Sequence, residues 1–361
     1  METKIIAEAG VNHNGSCDLA LELVDKAADA GADVVKFQTF KPSQLATPNA
    51  NQAAYQIENI GKQETQVSML SKLELKHEYH QIIAEHCMKR NITFLSTAFD
   101  SVSLSFLINN FEMQTLKIPS GELTNAPFVL EHARTNRNII LSTGMANLAE
   151  IETALGVLAF GFIAPVSENP TLEAFQEAYA SEQGQQALKE KLTLLHCTTE
   201  YPAPVMDINL NAMNTMKNAF GVNVGYSDHS KGIAISIAAA AMGANIIEKH
   251  FTLDRNMEGP DHKASLEPSE LTSMVSAIRE IDFAKGNGIK TAQPSEIPNK
   301  PIARKVLVAA KAIQKNELFS DDNVTAKRAG TGIEPIHYWA LMGKKSKYDL
   351  DENMIISPDN L

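Results

Sequence analysis

Eight short apolar runs alternate with helix-forming stretches up to residue 285, and nearly every run ends in polar or charged side chains. The runs are Ile5–Ala9, Val34–Phe37, Thr93–Ser96, Thr115–Ile118, Ile139–Ser142, Leu192–His196, Val222–Tyr226 and Asn245–Lys249. Helical periodicity fills gaps between them at Leu19–Ala30, His77–Arg90, Ala126–Thr135 and Leu210–Phe220. Short apolar runs separated by amphipathic stretches predict βα units. Eight such units suit a closed (β/α)8 TIM barrel, with an open doubly wound sheet as the alternative. A barrel packs its interior and does its chemistry at the C-terminal rim. One register then accounts for Glu8, Lys36 and Gln38, Ser96 and Thr97, Lys117 with Ser120 and Glu122, Ser142 and Thr143, His196 to Tyr201, Ser227 to His229, and Glu248 to His250. Any single serine or threonine among them reads as a turn former or helix cap.

Within this pattern, Gly225–His250 (GYSDHSKGIAISIAAAAMGANIIEKH) reads as strand, small-residue helix and strand, with the helix near Gly232–Met242. The two strands of such a unit are parallel neighbours, so His229 and His250 reach the same rim about 5 Å apart. Two imidazoles so placed can share a divalent metal that keeps positions open for water and substrate. The competing reading is that each histidine caps its strand. The pairing, with charged neighbours Asp228 and Lys249, brings the two readings level, and the rest of the chain must decide between them. Lys36, Lys117 and Lys249 are expected to line a pocket for a small anion, with Glu8 and Glu122 available for proton transfer or sugar hydroxyls. Such a pocket suits attack of a phosphate-bearing carbon nucleophile on a polarised aldehyde. It equally suits a metal-dependent aldolase or phosphatase, or a sugar-binding protein without catalysis.

The formal net charge of −11 argues against a nucleic-acid partner, whose phosphates need a basic face. No apolar run reaches the ~18 residues of a membrane span, and METKIIAEAG has no signal-peptide layout. Cys17, Cys87 and Cys197 are widely spaced and odd in number, which fits a reducing, cytoplasmic setting. The expected domains are a barrel over 1–285, a Gly- and Pro-rich linker over 286–303 (KGNGIKTAQPSEIPNKP lies around it), and a β-rich module over 304–361 that needs a partner surface. Thr39–Ser71 is expected as a long polar loop, a lid or rim wall. Gly161–Lys191 reads as an insertion, helical over Leu172–Leu188, with no chemistry assigned. Gly-containing turns at Gly10–Gly15, Pro119–Gly121 and Ser142–Met145 are weak anion-cradle signals.

Several longer motifs occur in fixed order: EAGVNHNGS (Glu8–Ser16), VVKFQTFK (Val34–Lys41), LSTAFD (Leu95–Asp100), KIPSGE (Lys117–Glu122), ILSTGM (Ile140–Met145), LLHCTTEYPAP (Leu194–Pro204), GYSDHS, and IEKHFTLD with GPDHKASLEP (Ile247–Pro268). With them the chain closely resembles the sialic acid (N-acetylneuraminate) synthase family over its whole length. Its last segment, containing AKRAGTGI at Ala326–Ile333, looks like the antifreeze-like (SAF) domain of that family. The resemblance implies condensation of phosphoenolpyruvate with N-acetylmannosamine to N-acetylneuraminate and phosphate. The alternative is the N,N'-diacetyllegionaminate analogue made from 2,4-diacetamido-2,4,6-trideoxymannose, because KFQTF occurs in both kinds of synthase.

By the same resemblance His229 and His250 are the ligands of Mn²⁺ or Mg²⁺, and Glu8 assists proton transfer beside the metal. Lys36, Thr97, Lys117, Ser120, Ser142, Thr199 and Ser227 match phosphoenolpyruvate-binding positions; Thr199 departs from the asparagine of some relatives. Some relatives also carry histidine where Phe37 stands, and lack the 161–191 insertion. Gln38, Glu122, Tyr201 and Asp261 match positions around the acyl sugar. Arg328 corresponds to an arginine that the small domain of one protomer inserts into its partner's barrel, in a domain-swapped homodimer.

Overall fold

The structure, a computed structural model, describes residues 2–361 and divides into two compact units, one ending at Gly286 and one running Asn287–Leu361. In the first, eight parallel strands close in sequence order: β1 (Lys4–Gly10), β2 (Val34–Thr39), β3 (Thr93–Ala98), β4 (Thr115–Ile118), β5 (Asn138–Ser142), β6 (Leu192–Cys197), β7 (Asn223–Asp228) and β8 (Ile246–His250). β8 returns to pair with β1, so the barrel has no open edge.

Helices ring the barrel because each presents apolar residues at three- and four-residue spacing. Helix α1 (Cys17–Asp29) is capped by the Ser16 hydroxyl, which accepts from the Leu19 amide, and buries Ala20, Leu23, Val24 and Ala27. The stretch expected as a polar loop instead folds into three short helices, α2 (Pro42–Leu45), α3 (Ala54–Ile60) and α4 (Gln66–Leu73). At four to eight residues each, they are too short to show a clear helical period in sequence. The ring continues with α5 (His77–Lys89), α6 (Ser101–Asn110), α7 (Ala126–Arg134) and α8 (Leu148–Ile163).

Helix α8 is apolar nearly all round, and the insertion explains it. The 161–191 segment forms α9 (Leu172–Ala180) and α10 (Glu182–Lys191), broken where Ser181 caps the second helix. They cover the outer face of α8: Phe175 packs edge-on to Phe160 at 5.3 Å, and its carbonyl lies 3.0 Å from where a Cβ on Gly156 would stand. Helices α11 (Ala212–Phe220), α12 (Ala234–Ala241) and α13 (Pro268–Ala284) complete the ring.

The second unit holds the antiparallel pair β9 (Val306–Ala309) and β10 (Val324–Lys327), with single bridges Val308–Ile355 and Ile313–Leu350. It has its own apolar cluster of Leu307, Ile313, Phe319, Val324, Leu341, Leu350 and Ile356, so its core is built from its own side chains. Residues expected as linker include a 3₁₀ turn at Ile297–Asn299 and a short helix at Lys300–Ala303, each with proline at its second residue, where the missing N–H breaks no helical bond.

Strand alternation decides which rim residues face the barrel interior. On β8, Glu248 and His250 point in and Lys249 points out. Lys249 therefore does not line the anion pocket expected from sequence. It lies wholly buried outside the barrel, 3.1 Å from Asp228, and donates to the Ser230 carbonyl. Asp228 also accepts from Ser230 and, on α12, the Ser236 hydroxyl at 2.7 Å. The charges that seemed surplus at these strand ends fasten the outer helix layer to the barrel. Breaking a buried pair from one side strands the other charge. Lys249→Met is expected to lower unfolding stability by about 3–5 kcal/mol, and Lys249→Met with Asp228→Asn to recover most of it. Urea denaturation of the three proteins checks this.

Candidate active site

The parallel register sets the inward-facing rim residues side by side. Glu8 lies opposite Lys36 on one neighbour and His250 on the other; Thr97 lies opposite Lys117, and Ser227 opposite Glu248. β3 and β4 pair in register only at Thr97–Lys117, so the seam between them closes at the rim.

Glu248 is the hub. Its Oε1 accepts from the Ser227 hydroxyl at 2.9 Å and lies 3.5 Å from Lys117 Nζ, while its Oε2 lies 3.5 Å from Lys36 Nζ. Lys36 also donates to Thr97 Oγ1 at 3.0 Å and forms an ion pair with Glu8. Lys117 donates to Ser142 Oγ at 2.7 Å. Two lysines and two carboxylates, each at most 5% exposed, thus share one dry lattice. Burial raises the Glu8 carboxyl to about 7 even though Lys36 draws it down, with the Glu248 charge adding to the rise. Burial acts on Glu248 in the same sense, but Lys117 and Lys36 outweigh it and hold its carboxyl below the usual range. Two adjacent carboxylates pushed apart in this way can divide proton-carrying and charge-holding roles.

Beside the lattice lies the turn that leads from β5 to α8. The Ser120 hydroxyl accepts from the Gly144 amide at 3.0 Å and meets Cys197 Sγ at 3.2 Å. A Cβ on Gly144 would come within 2.2 Å of Thr199 Oγ1 and 2.8 Å of Ser120 Oγ, so this turn requires glycine. The Thr199 hydroxyl is buried without a partner in the same corner. Of the seven residues matched to phosphoenolpyruvate, Lys36, Thr97, Lys117, Ser142 and Ser227 are joined through the lattice, and Ser120 and Thr199 meet at the Gly144 turn.

His229 and His250 stand next to the lattice with ring centroids 5.7 Å apart. His229 Nδ1 lies 2.6 Å from the Thr198 carbonyl, which can only accept, so Nδ1 carries the proton and Nε2 keeps a free lone pair, 3.3 Å from a Ser227 Oγ whose proton goes to Glu248. Burial lowers the His229 imidazolium to about 4, and lowers that of His250 well below its ordinary value. Both rings are therefore neutral at neutral pH, the form that ligates metals. His250 Nδ1 is buried without a hydrogen bond, 4.0 Å from Asp261. These donors fit a divalent cation held by two nitrogens. Among the described residues no cluster of three or more His, Cys, Asp or Glu side chains is assembled to hold one, so the remaining ligands would come from water or substrate.

The Tyr201 ring covers His229 at 4.1 Å and meets His250 edge-on at 5.6 Å. Asp261 stands beside His250, its carboxyl raised to about 6 by burial. Its loop is pinned by Asn12, which donates to the Phe251 carbonyl and Ser265 hydroxyl, and by a 2.6 Å bond between Thr252 and His262. Gln38 reaches Glu8 at 3.5 Å. Glu122 is not joined to this network: its carboxylate accepts from Asn125 at 2.7 Å and faces a cavity of about 300 Å³ shared with Gln44, Asp100 and Glu131. Arg328 belongs to the second unit, exposed just after β10.

Sequence reasoning noted Glu248 at the rim and gave it no role. Its position two residues before His250, on the same strand face, was the available signal. Tyr55, whose ring lies 5.1 Å from that of Tyr201 at a tilt of 34°, carries no signal because its seven-residue helix is too short to show a helical period.

Residues 23–290 match the family model described as "NeuB family", and residues 304–361 match the SAF domain. The N,N'-diacetyllegionaminic acid synthase of Campylobacter jejuni is 49% identical, over 98% of this chain and 99% of that protein. The protein of the same name from Legionella pneumophila is 39% identical, over 96% and 91%. The crystal structure of N-acetylneuraminic acid synthetase from Leptospira borgpetersenii superposes with a TM-score of 0.65 at 33% identity, covering 83% of this chain and 90% of that one. With a family match spanning most of the barrel, and relatives aligned nearly end to end, the chain belongs to the NeuB family and ends in a SAF domain.

Proposed function

We propose that this protein condenses phosphoenolpyruvate with 2,4-diacetamido-2,4,6-trideoxymannose to give N,N'-diacetyllegionaminate and phosphate. Two relatives named for that product, at 49% and 39% identity over nearly full length, favour it over the N-acetylneuraminate reading first implied by the motifs. The single observation that carries the enzymatic reading is the adjacency of the two-lysine hollow and the neutral histidine pair in one rim. The N-acetylneuraminate reading stays second, supported by the 33% identical synthetase structure.

A divalent ion at His229 and His250, Mn²⁺ or Mg²⁺, would supply Lewis acidity to the sugar aldehyde. The chain's own groups do the rest. Lys36 and Lys117 hold the phosphate and carboxylate of phosphoenolpyruvate, and Ser142, Ser227 and Ser120, itself oriented by the Gly144 amide, fix their orientation. Glu248 keeps both lysine heads in place and charged while the hollow is dry. Glu8, titrating near neutrality and adjacent to His250 across the strands, is suited to give or take the proton that accompanies C–C bond formation or water addition. Tyr201 excludes water from the histidine pair, and Asp261 and Gln38 accept sugar hydroxyl or amide protons. In the same reading Arg328 serves the sugar site of a second protomer.

The test is phosphate release with phosphoenolpyruvate and either the diacetamido sugar or N-acetylmannosamine. Faster turnover of the diacetamido sugar is expected; a preference for N-acetylmannosamine selects the second reading, and release with neither sugar removes both. Gly144→Ala drives a methyl into the Ser120 and Thr199 hydroxyls, and a lost charge-assisted contact is worth about 1.5–3 kcal/mol. The KM for phosphoenolpyruvate is expected to rise at least about tenfold with the sugar KM within about twofold of wild type. Steady-state kinetics with each substrate varied in turn checks this.

A further inference from the structure

The motif that carries Glu8 continues past the end of β1 into the turn Gly10–Gly15, expected from its glycines as an anion cradle. The turn spends its donors on itself. The amides of Asn12, Asn14 and Ser16 donate to the carbonyls of Ala9, Val11 and His13, and that of Gly15 donates to His13 Nδ1. What the turn sends outward is a side chain. Asn12, buried, donates from Nδ2 to the Phe251 carbonyl at 2.8 Å and to the Ser265 hydroxyl at 2.9 Å. Ser265 passes its own proton to the Asp261 backbone carbonyl at 2.7 Å. A carbonyl only accepts and an amide nitrogen only donates, so the bonds run one way, from Asn12 through Ser265 to Asp261.

Phe251 directly follows His250, and the Asp261 carboxylate stands 4.0 Å from His250 Nδ1. One amide therefore holds the backbone beside the imidazole and, through Ser265, the backbone beside the carboxylate. The base of the loop is closed where the Leu266 amide donates to the His250 carbonyl at 2.9 Å and the Phe251 amide to the Glu8 carbonyl at 3.0 Å. Helix α3 forms a roof over the neighbouring residues: Asn59 donates to the Pro260 carbonyl at 2.7 Å and to the Tyr201 carbonyl at 3.4 Å. Asn12 adds a tie from the strand of Glu8 to Asp261 itself. In a reacting constellation a misplacement of about 1 Å can cost about a hundredfold in rate.

We propose that Asn12 is a positioning residue: through Ser265 it sets the Asp261 carboxylate against His250, and with it the grip on the sugar. The inference rests on the reading of the site as a phosphoenolpyruvate-dependent sugar synthase with Asp261 at the sugar. Lys36, Lys117 and Glu248 take no part in these bonds, so the effect falls on the sugar and not on phosphoenolpyruvate.

The experiment is steady-state kinetics of phosphate release with each substrate varied in turn, using whichever of the two sugars wild type turns over faster. It compares wild type, Asn12→Ala, Ser265→Ala and the double variant. Ser265→Ala leaves the bond to Phe251 in place and removes the leg to Asp261. Each single change is expected to raise the sugar KM about three- to tenfold, with the phosphoenolpyruvate KM within about twofold of wild type. The double variant is expected to stay within about twofold of Asn12→Ala, because both changes cut one series of bonds. Should Asn12→Ala not fold, Ser265→Ala decides by itself. A sugar KM unchanged in Ser265→Ala, an equal rise in both KM values, or a double variant whose losses multiply overturns the inference and leaves the synthase reading intact. No phosphate release by wild type with either sugar overturns both.

Discussion

The site depends on the buried lattice in which Glu248 joins Lys36 and Lys117, and Lys36 joins Glu8. Two ammonium groups close together in a dry barrel would each tend to shed the proton, since burial disfavours the charged form. Burial does lower Lys117. At Lys36 the two carboxylates overcome burial and raise it. The lattice keeps positive charge available at the rim without an anion present, so an incoming phosphate meets heads already positioned. The cost of burying four ionisable groups is offset by mutual pairing and by the hydroxyls of Thr97, Ser142 and Ser227, which meet Lys36, Lys117 and Glu248 Oε1.

Barrel closure supplies this geometry. Parallel pairing aligns Glu8 with both Lys36 and His250, and Ser227 with Glu248, so lattice and histidine pair are set by one register. A one-residue slip in β8 would exchange Glu248 and His250 for Lys249 and Ile247. The outer layer resists that slip: Lys249, locked to Asp228 and Ser230, holds β8 against β7 and α12 from outside. The loops then build upward from fixed strand ends, with Tyr201 and Asp261 around the histidines and α3 fastened above them.

Much of this is legible in the sequence because a strand has a period of two. Lys36, Lys117, Ser142, Ser227, His229 and His250 fall at run ends, and parallel pairing brings run ends together. The same rule, applied to IEKH, separates Glu248 and His250 from Lys249; charge alone suggested that all three share the pocket. The roof was less legible for a different reason. Helices of four to eight residues between Thr39 and Leu73 leave no periodic trace, so the sequence does not separate Tyr55 from a loop residue. Glu122 matched a motif, yet its carboxylate is taken up by Asn125, a local contact that motif spacing does not reveal.

We propose that the two neutral imidazoles, their ring centroids 5.7 Å apart and His229 held in one tautomer by the Thr198 carbonyl, would share a single cation beside the two lysines. Pulsed electron paramagnetic resonance of the Mn²⁺-loaded protein tests it most directly, since a directly bound imidazole nitrogen modulates the echo. Wild type is expected to show two such nitrogens, and His229→Ala and His250→Ala one each. A manganese signal without histidine nitrogen coupling, or one unchanged by either substitution, contradicts the claim.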